Sequence, residues 1–376
     1  MKVDFNTEIL DQLLSRHTEK AQVINNKFPK IFEWQKENDK PTLNQLTNLA
    51  TYFNIPFGYF FLDKLPVIKY PVPHYRSGSN DAFVPSDDLL ETIRTIEERQ
   101  NWARDLRKEF NEELPFANSI TVNTDIKKAA EKVREILKVR INWSKDPSIK
   151  TWEEAFRFLI RKTEDAGIFV AVNGVVNNST RRKLKVDEFR GFVLHDNYAP
   201  FIFINNNDFV SGKIFTIIHE VVHVLIGKSA SFENKELLPA NVEIEEFCNA
   251  VAAEFLVPEN FLLREYEVVG KNYDHLSSVF KVSSLVIARR LYDLKKITKS
   301  EFESGYKKFK TYKSEKVAKV TNGGNFYNTA PYRIGRSFFN LIYSSVKEHK
   351  ILYRDAFRLT SLTPKSFDGY VKNHIE

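Results

Sequence analysis

The segment from Ile214 to Ile226 contains His219-Glu220-Val221-Val222-His223, two histidines separated by three residues with a glutamate directly after the first. On a helix, positions i and i+4 lie one turn apart on the same face, close enough for both imidazoles to bind one Zn²⁺. Glu220 is rotated by about 100° around the helix axis, and in an HExxH arrangement its carboxylate acts as general base on a metal-bound water. Apart from these three residues and Thr216, every position from Ile214 to Ile226 is apolar, so the helix is expected to be buried all round. Two imidazoles and a carboxylate in such a helix incur a desolvation penalty unless something pairs them. A metal does so. The bland alternative is a pair of core histidines with ordinary hydrogen-bond partners. A third ligand decides the matter, because zinc hydrolases use three protein ligands and leave one position for water.

Candidates for that ligand lie downstream. Residues 241–256 read as a helix ending near Pro258, with small residues at Ala250, Ala252 and Ala253 that permit close packing against another helix. Glu245 and Asn249 are i and i+4, so one can coordinate a metal while the other orients a histidine. Glu246 and Glu254 compete, each read more simply as a solvated helix face. Cys248 is a soft donor, though a lone thiol is more often a small buried residue. Spacing alone does not choose between Glu245 and Glu246.

The sequence from His219 to His223, followed by Glu245-Glu246-Phe247-Cys248-Asn249-Ala250-Val251-Ala252-Ala253-Glu254-Phe255-Leu256-Val257-Pro258, resembles the ImmA/IrrE metallopeptidases. Their signature is HExxH followed by a helix of the form E-x-x-A/C-N-x-x-A-A-x-x-L-M/V-P, and the resemblance covers about residues 150–265. Matching at Cys248-Asn249 places the family's zinc-ligand glutamate on Glu245. The resemblance implies a gluzincin-type peptidase with one Zn²⁺ per chain, ligands His219, His223 and Glu245, and Asn249 behind them. It also implies Glu220 as the base that activates the water and passes its proton to the leaving nitrogen. Well-known members cleave a helix-turn-helix repressor, so a repressor or antitoxin-like regulatory protein is the implied substrate. The stretch Phe192 to Leu194 is a candidate for pairing with an extended substrate. No Tyr, His or Arg stands at a spacing diagnostic for oxyanion stabilisation.

The elements that must position these residues read as α+β and mostly helical. Short apolar runs at 167–172, 189–194 and 200–204 predict three strands, giving a small sheet packed on the HExxH helix. Helices are expected over 86–110, 125–138 and 152–164, with Gly227 stopping the helix 214–226. The organisation expected is a helical module at 1–66, a linker and helical segment at 67–150, and a peptidase core at 151–265. A basic helix-turn-helix-like segment at 266–320 and a helical tail at 321–376 follow. Prolines 66, 71 and 73 and the run Ser77-Gly78-Ser79-Asn80 mark the linker.

Composition narrows the class. A single cysteine, Cys248, excludes an intrachain disulfide and a cysteine-rich zinc finger and fits a reducing cytoplasm. The residues Met1 to Glu8 lack the apolar region of a secretory leader, and no run approaches the roughly 18 apolar residues of a membrane span. The net charge of +7 is concentrated: residues 289–319 hold eleven Lys or Arg against four acids, so the rest of the chain sums to zero.

Two segments bear on DNA. Residues 8–62 are similar to the Xre/Cro-type module that precedes this peptidase in fused family members. The likeness rests on Ile31-Phe32-Glu33-Trp34-Gln35, on the run from Lys40 to Leu46 and on Tyr52-Phe53-Asn54-Ile55-Pro56. Gln35 departs from the usual Glu, and the recognition region 25–32 is short, holds Pro29 and offers little beyond Lys27 and Lys30 to read a groove. Within the first segment Thr18 is a candidate N-cap for the helix holding Ala21, Val23 and Ile24; the second segment, 275–291, has helix-turn-helix spacing, with a Val282-Ser283 turn leading into its second helix. Its helix carries Arg289 and Arg290 and runs toward Lys307, Lys308 and Lys310, candidate phosphate contacts. The residues Gly323 to Phe326 and Tyr353 to Leu359 resemble the closing segment of fused members. A competing reading is therefore a DNA-binding transcriptional regulator whose peptidase is silent or conditional.

Overall fold

The runs Phe169-Val170-Ala171-Val172 and Phe201-Ile202-Phe203-Ile204 contain no polar position, so as strands they must bury both faces. In a computed structural model of the chain the strands are β1 (Phe169–Asn173), β2 (Val175–Val176), β3 (Ser179–Lys183), β4 (Gly191–Leu194) and β5 (Phe201–Asn205). Every residue of β1 and β5 is buried. These two pair in parallel, Phe169 opposite Phe201, and β4 runs antiparallel on the other side of β5, Phe192 opposite Phe203. The order β1-β5-β4 makes β4 an edge strand. The strands β2 and β3 form a separate antiparallel hairpin, turning through Asn177 and Asn178 at positive φ. The sequence reading lacked this hairpin because Ser179 to Lys183 is polar throughout and shows no alternation.

The described residues are 2–16, 21–53, 55–65, 85–227, 242–305 and 331–375, and the chain forms two units, Met1–Lys69 and Tyr70–Glu376. Thr18, most of the expected linker including its three prolines, Lys307, Lys308, Lys310 and the run Gly323 to Phe326 lie outside the described residues. The first unit contains α1 (Thr7–Arg16), α2 (Ala21–Lys27), α3 (Ile31–Gln35) and α4 (Leu43–Phe53), closed by a 3₁₀ turn at Phe57–Phe61. Its core gathers Ile9, Leu10, Ile24, Trp34, Leu46 and Phe60.

The second unit holds α5 (Asp87–Glu109), α6 (Ile126–Leu137), α7 (Trp152–Asp165), α8 (Val210–Ile226) and α9 (Val242–Leu256). It continues with α10 (Glu259–Val269), α11 (Tyr273–Phe280), α12 (Ser284–Asp293), α13 (Arg336–Lys347), α14 (Tyr353–Thr360) and α15 (Pro364–His374). Caps fix several starts: Ser86 accepts from the Leu89 amide, and Thr151 with Glu154 closes a capping box on α7.

The period-two alternation of the central strands sorts these helices into two layers. Val170, Val172, Ile202 and Ile204 face a core shared with α6 through α12. Phe169, Ala171, Phe201 and Phe203 face a second core built from α5 and the C-terminal helices α13 to α15. The helix expected over 86–110 and the helical tail thus form one layer of the fold, a partnership that sequence patterning does not reveal. The helix α8, which starts four residues earlier than expected, contacts β4 and β5 on the sheet and the helices α7 and α9.

Phe338 of α13 is fully buried, its ring 5.6 Å from Phe169, 5.5 Å from Phe201 and 5.7 Å from Trp102. Phe338→Ala is expected to cost about 3–5 kcal/mol in denaturant unfolding. A loss below about 1 kcal/mol would show that the tail contributes no core.

Candidate metal centre

Burial of α8 is nearly complete: from Ile214 to Ile226 only Phe215 is partly exposed, and His219, Glu220 and His223 are 5%, 7% and 5% exposed. The helix α9 packs alongside and presents Glu245 to both imidazoles. The Nε2 atoms of His219 and His223 are 3.1 Å apart, Glu245 Oε2 is 3.3 Å from His219 Nε2, and Glu245 Oε1 is 3.0 Å from His223 Nε2. Among the described residues this is the group of His, Cys, Asp and Glu side chains whose donor atoms converge tightly enough for an ion. Zinc with ligands at 2.0–2.1 Å in a tetrahedron would separate them by about 3.3 Å. The donor set, two imidazoles and a carboxylate, also suits that ion. The residues fit the metal.

Electrostatics point the same way. Burial alone would raise the Glu245 carboxyl, but hydrogen bonds and charge from His219 and His223 hold it far below the usual carboxylate range. Burial opposes charge on His223, yet Cys248, Glu245 and Glu220 raise it well above an ordinary imidazole. The pocket between α8 and α9 therefore favours positive charge. Burial pushes the Cys248 thiol up, and it sits against His223 outside the convergent trio. Asn249, one turn beyond Glu245 on α9, is part-buried and lines the cleft. Glu246 is exposed, on another face of α9.

The strand β4 passes close to the base candidate. A Cβ on Gly191 would lie 3.7 Å from Glu220 Oε1, 2.5 Å from Thr216 Cγ2 and 2.9 Å from the Phe203 carbonyl oxygen. Glycine at that position lets the edge strand approach the helix at the level of Glu220. An open cleft of about 1740 Å³ is bordered by Arg190, Phe215, Thr216, Asn249 and Ala253, neighbours in sequence of Gly191 and of the metal-site residues. Arg190, immediately before Gly191, is 3.2 Å from buried Asp208. Neither Gly191 nor Arg190 has a spacing signal in the sequence, since their place depends on the register of β4.

Other candidates are placed differently. Glu254 is 6% exposed, so it is not the solvated face expected of it, and it pairs with Arg290 of α12. That pair is nearly dry, with Arg290's side chain 11% exposed, so the guanidinium is engaged by Glu254 within the fold. Arg289 is exposed but pairs with Asp293 one turn on, 2.9 Å away. In the first unit, Lys30 is 3.1 Å from Asp39 and Lys27 lies 4.7 Å over the Tyr52 ring. The helices there are short: α2 has seven residues and α3 five.

Comparison with known proteins adds the following. Residues 164–292 match the family described as the IrrE N-terminal-like domain, Peptidase_M78, a metallopeptidase at the level of the family. That span runs through α11 and α12, so the helix-turn-helix-like pair falls inside the matched domain. Residues 334–373, the helices α13 to α15, match a domain of unknown function, DUF8813. No curated protein matches the chain. Among solved structures, a Mycobacterium tuberculosis transcriptional regulator aligns at 18% identity over 52% of this chain and 51% of that one, with a TM-score of 0.29. The chain thus spans about half the length of that structure.

Removing Arg290 leaves the buried Glu254 carboxylate without its counter-charge, with only the Glu259 amide, 3.4 Å away, as a partner. Arg290→Ala is expected to destabilise the second unit by about 3–5 kcal/mol, read by urea unfolding. A change under about 0.5 kcal/mol would mean that Arg290 is a free surface cation.

Proposed function

We propose that the chain is a zinc-dependent endopeptidase acting on a regulatory protein, with His219, His223 and Glu245 holding the ion and Glu220 serving as general base. The observation that carries this reading is the convergence of two Nε2 atoms and a carboxylate within 3.0–3.3 Å, with the buried Glu220 next to His219 on the same helix. A bound zinc ion would supply Lewis acidity, polarising the scissile carbonyl and making water acidic enough to deprotonate near neutrality.

The remaining steps belong to the chain. The Glu220 carboxylate, 7% exposed and next to His219 in the chain, takes the proton of the attacking water and later delivers it to the leaving nitrogen. Asn249 steadies the ligand helix beside Glu245 and His223. Among the described residues no strand pairs with the outer edge of β4, and its backbone groups can pair with an extended substrate laid past Glu220. Helix-rich regulators of the repressor or antitoxin kind are the substrate class that the ImmA/IrrE resemblance favours, locally unfolded at the cut so that an extended segment enters the cleft.

Purified protein is expected to hold close to one zinc per chain by elemental analysis, and His219→Ala to lose it. Metal content unchanged by that substitution would sink the proposal. Glu220→Gln is expected to keep the metal and to lose cleavage of the regulator encoded beside the gene by about 10²-fold or more; an active Glu220→Gln protein removes the proposed base. Glu245→Gln is expected to weaken zinc far more than Glu246→Gln, and the reverse order would refute the choice of ligand.

A further inference from the structure

On the sheet face opposite the metal centre, a small cavity of about 20 Å³ opens at the seam between α5, the β2–β3 hairpin and the C-terminal helices. Arg99 of α5 lines it and is only 5% exposed. Its Nε donates to the Leu359 carbonyl at 2.8 Å, and its Nη1 reaches the Arg333 carbonyl at 3.5 Å. Its guanidinium lies 5.9 Å from the Phe338 ring. Among the described residues no carboxylate approaches it. Burial pulls Arg99 down to about 10, with no acid restoring it.

A buried guanidinium normally meets a carboxylate, because carbonyl dipoles offer only partial charge against the cost of desolvation. The lining deepens the anomaly. Among the described residues it contains a second arginine, Arg333, and no Asp or Glu. Asn173, at the end of β1, is 9% exposed and accepts the Val175 amide through Oδ1 at 3.2 Å. That bond assigns Oδ1 as the acceptor and leaves Nδ2 as the donor end of a side chain that lines the cavity. Asn178 receives Arg333 Nη1 at 3.4 Å and donates to the Ser361 carbonyl at 3.0 Å, tying the hairpin to the C-terminal helices at the cavity mouth. The enclosed space exceeds the ~10–15 Å³ that one water needs, and its open mouth leaves room for the rest of a small ion.

We infer that this cavity is a binding site for a small tetrahedral oxyanion such as phosphate, held by Arg99 and Asn173 with Arg333 at the mouth. The charge-assisted bonds to Arg99 anchor it, and the site spans elements that are far apart in sequence. Occupancy therefore fastens the C-terminal helices to α5 and the hairpin. The inference is independent of the peptidase reading.

Calorimetric titration of the whole protein with inorganic phosphate, in chloride buffer at constant ionic strength, tests it. One site per chain is expected. Asn173→Asp keeps the Val175 contact but puts a carboxylate oxygen where Nδ2 stood, and Arg99→Gln removes the charge; each is expected to weaken phosphate at least about tenfold. Circular dichroism checks that the variants are folded, and Asn173→Asp, nearly isosteric, decides the matter if Arg99→Gln is not. Absence of phosphate binding by the wild type at millimolar concentration, or equal binding by wild type and Asn173→Asp, overturns the site.

Discussion

Most of the second unit can be understood from the cost of placing two imidazoles and a carboxylate inside a helix that water does not reach. His219, Glu220 and His223 are each more than nine-tenths buried, surrounded by Ile217, Ile218, Val221, Val222 and Val224. Polar groups so placed destabilise the fold unless partners are brought to them. The partner for both histidines is Glu245, and it arrives because α9 packs along α8, with Cys248, Val251 and Ala252 buried in the same core. A compact donor set that prefers positive charge is the outcome, and a cation is its natural complement.

The same constraint explains the layers. For α8 to be enclosed, the sheet must cover one side, and strands as apolar as β1 and β5 must in turn be covered on their far face. That covering comes from α5 and from α13 to α15, drawn from opposite ends of the unit. The buried Arg290–Glu254 pair then joins α12 to the helix that carries Glu245. What looks from spacing like a separate nucleic-acid-reading pair of helices is tied into the wall of the cleft.

Local chemistry made much of this legible in the sequence. The strands at 169–173, 191–194 and 201–205 follow from apolar runs, and Gly227 ends α8 where its lack of a side chain allows a positive φ of 78°. The convergence of His219 and His223 is a consequence of helical period. Glu245 over Glu246 was not decidable from spacing, because it depends on which face of α9 meets α8. The burial of Glu254 and Arg290 was equally hidden: both are charged, and pairing across 36 residues leaves no local mark. Arg99 belongs to the same class, since a basic residue on a charged helix reads as solvated until the tail is seen to cover it. The polar hairpin β2–β3 escaped because it buries little.

The central claim is that nitrogen and oxygen donors from α8 and α9 form one zinc site. X-ray absorption at the zinc edge of the metal-loaded protein tests it most directly. The account predicts two histidine nitrogens at about 2.0–2.1 Å and a carboxylate oxygen at about 2.0–2.2 Å, with the carboxylate contribution lost in Glu245→Gln. A sulfur scatterer at about 2.3 Å, which would put Cys248 in place of Glu245, or the absence of any histidine nitrogen shell, would contradict it.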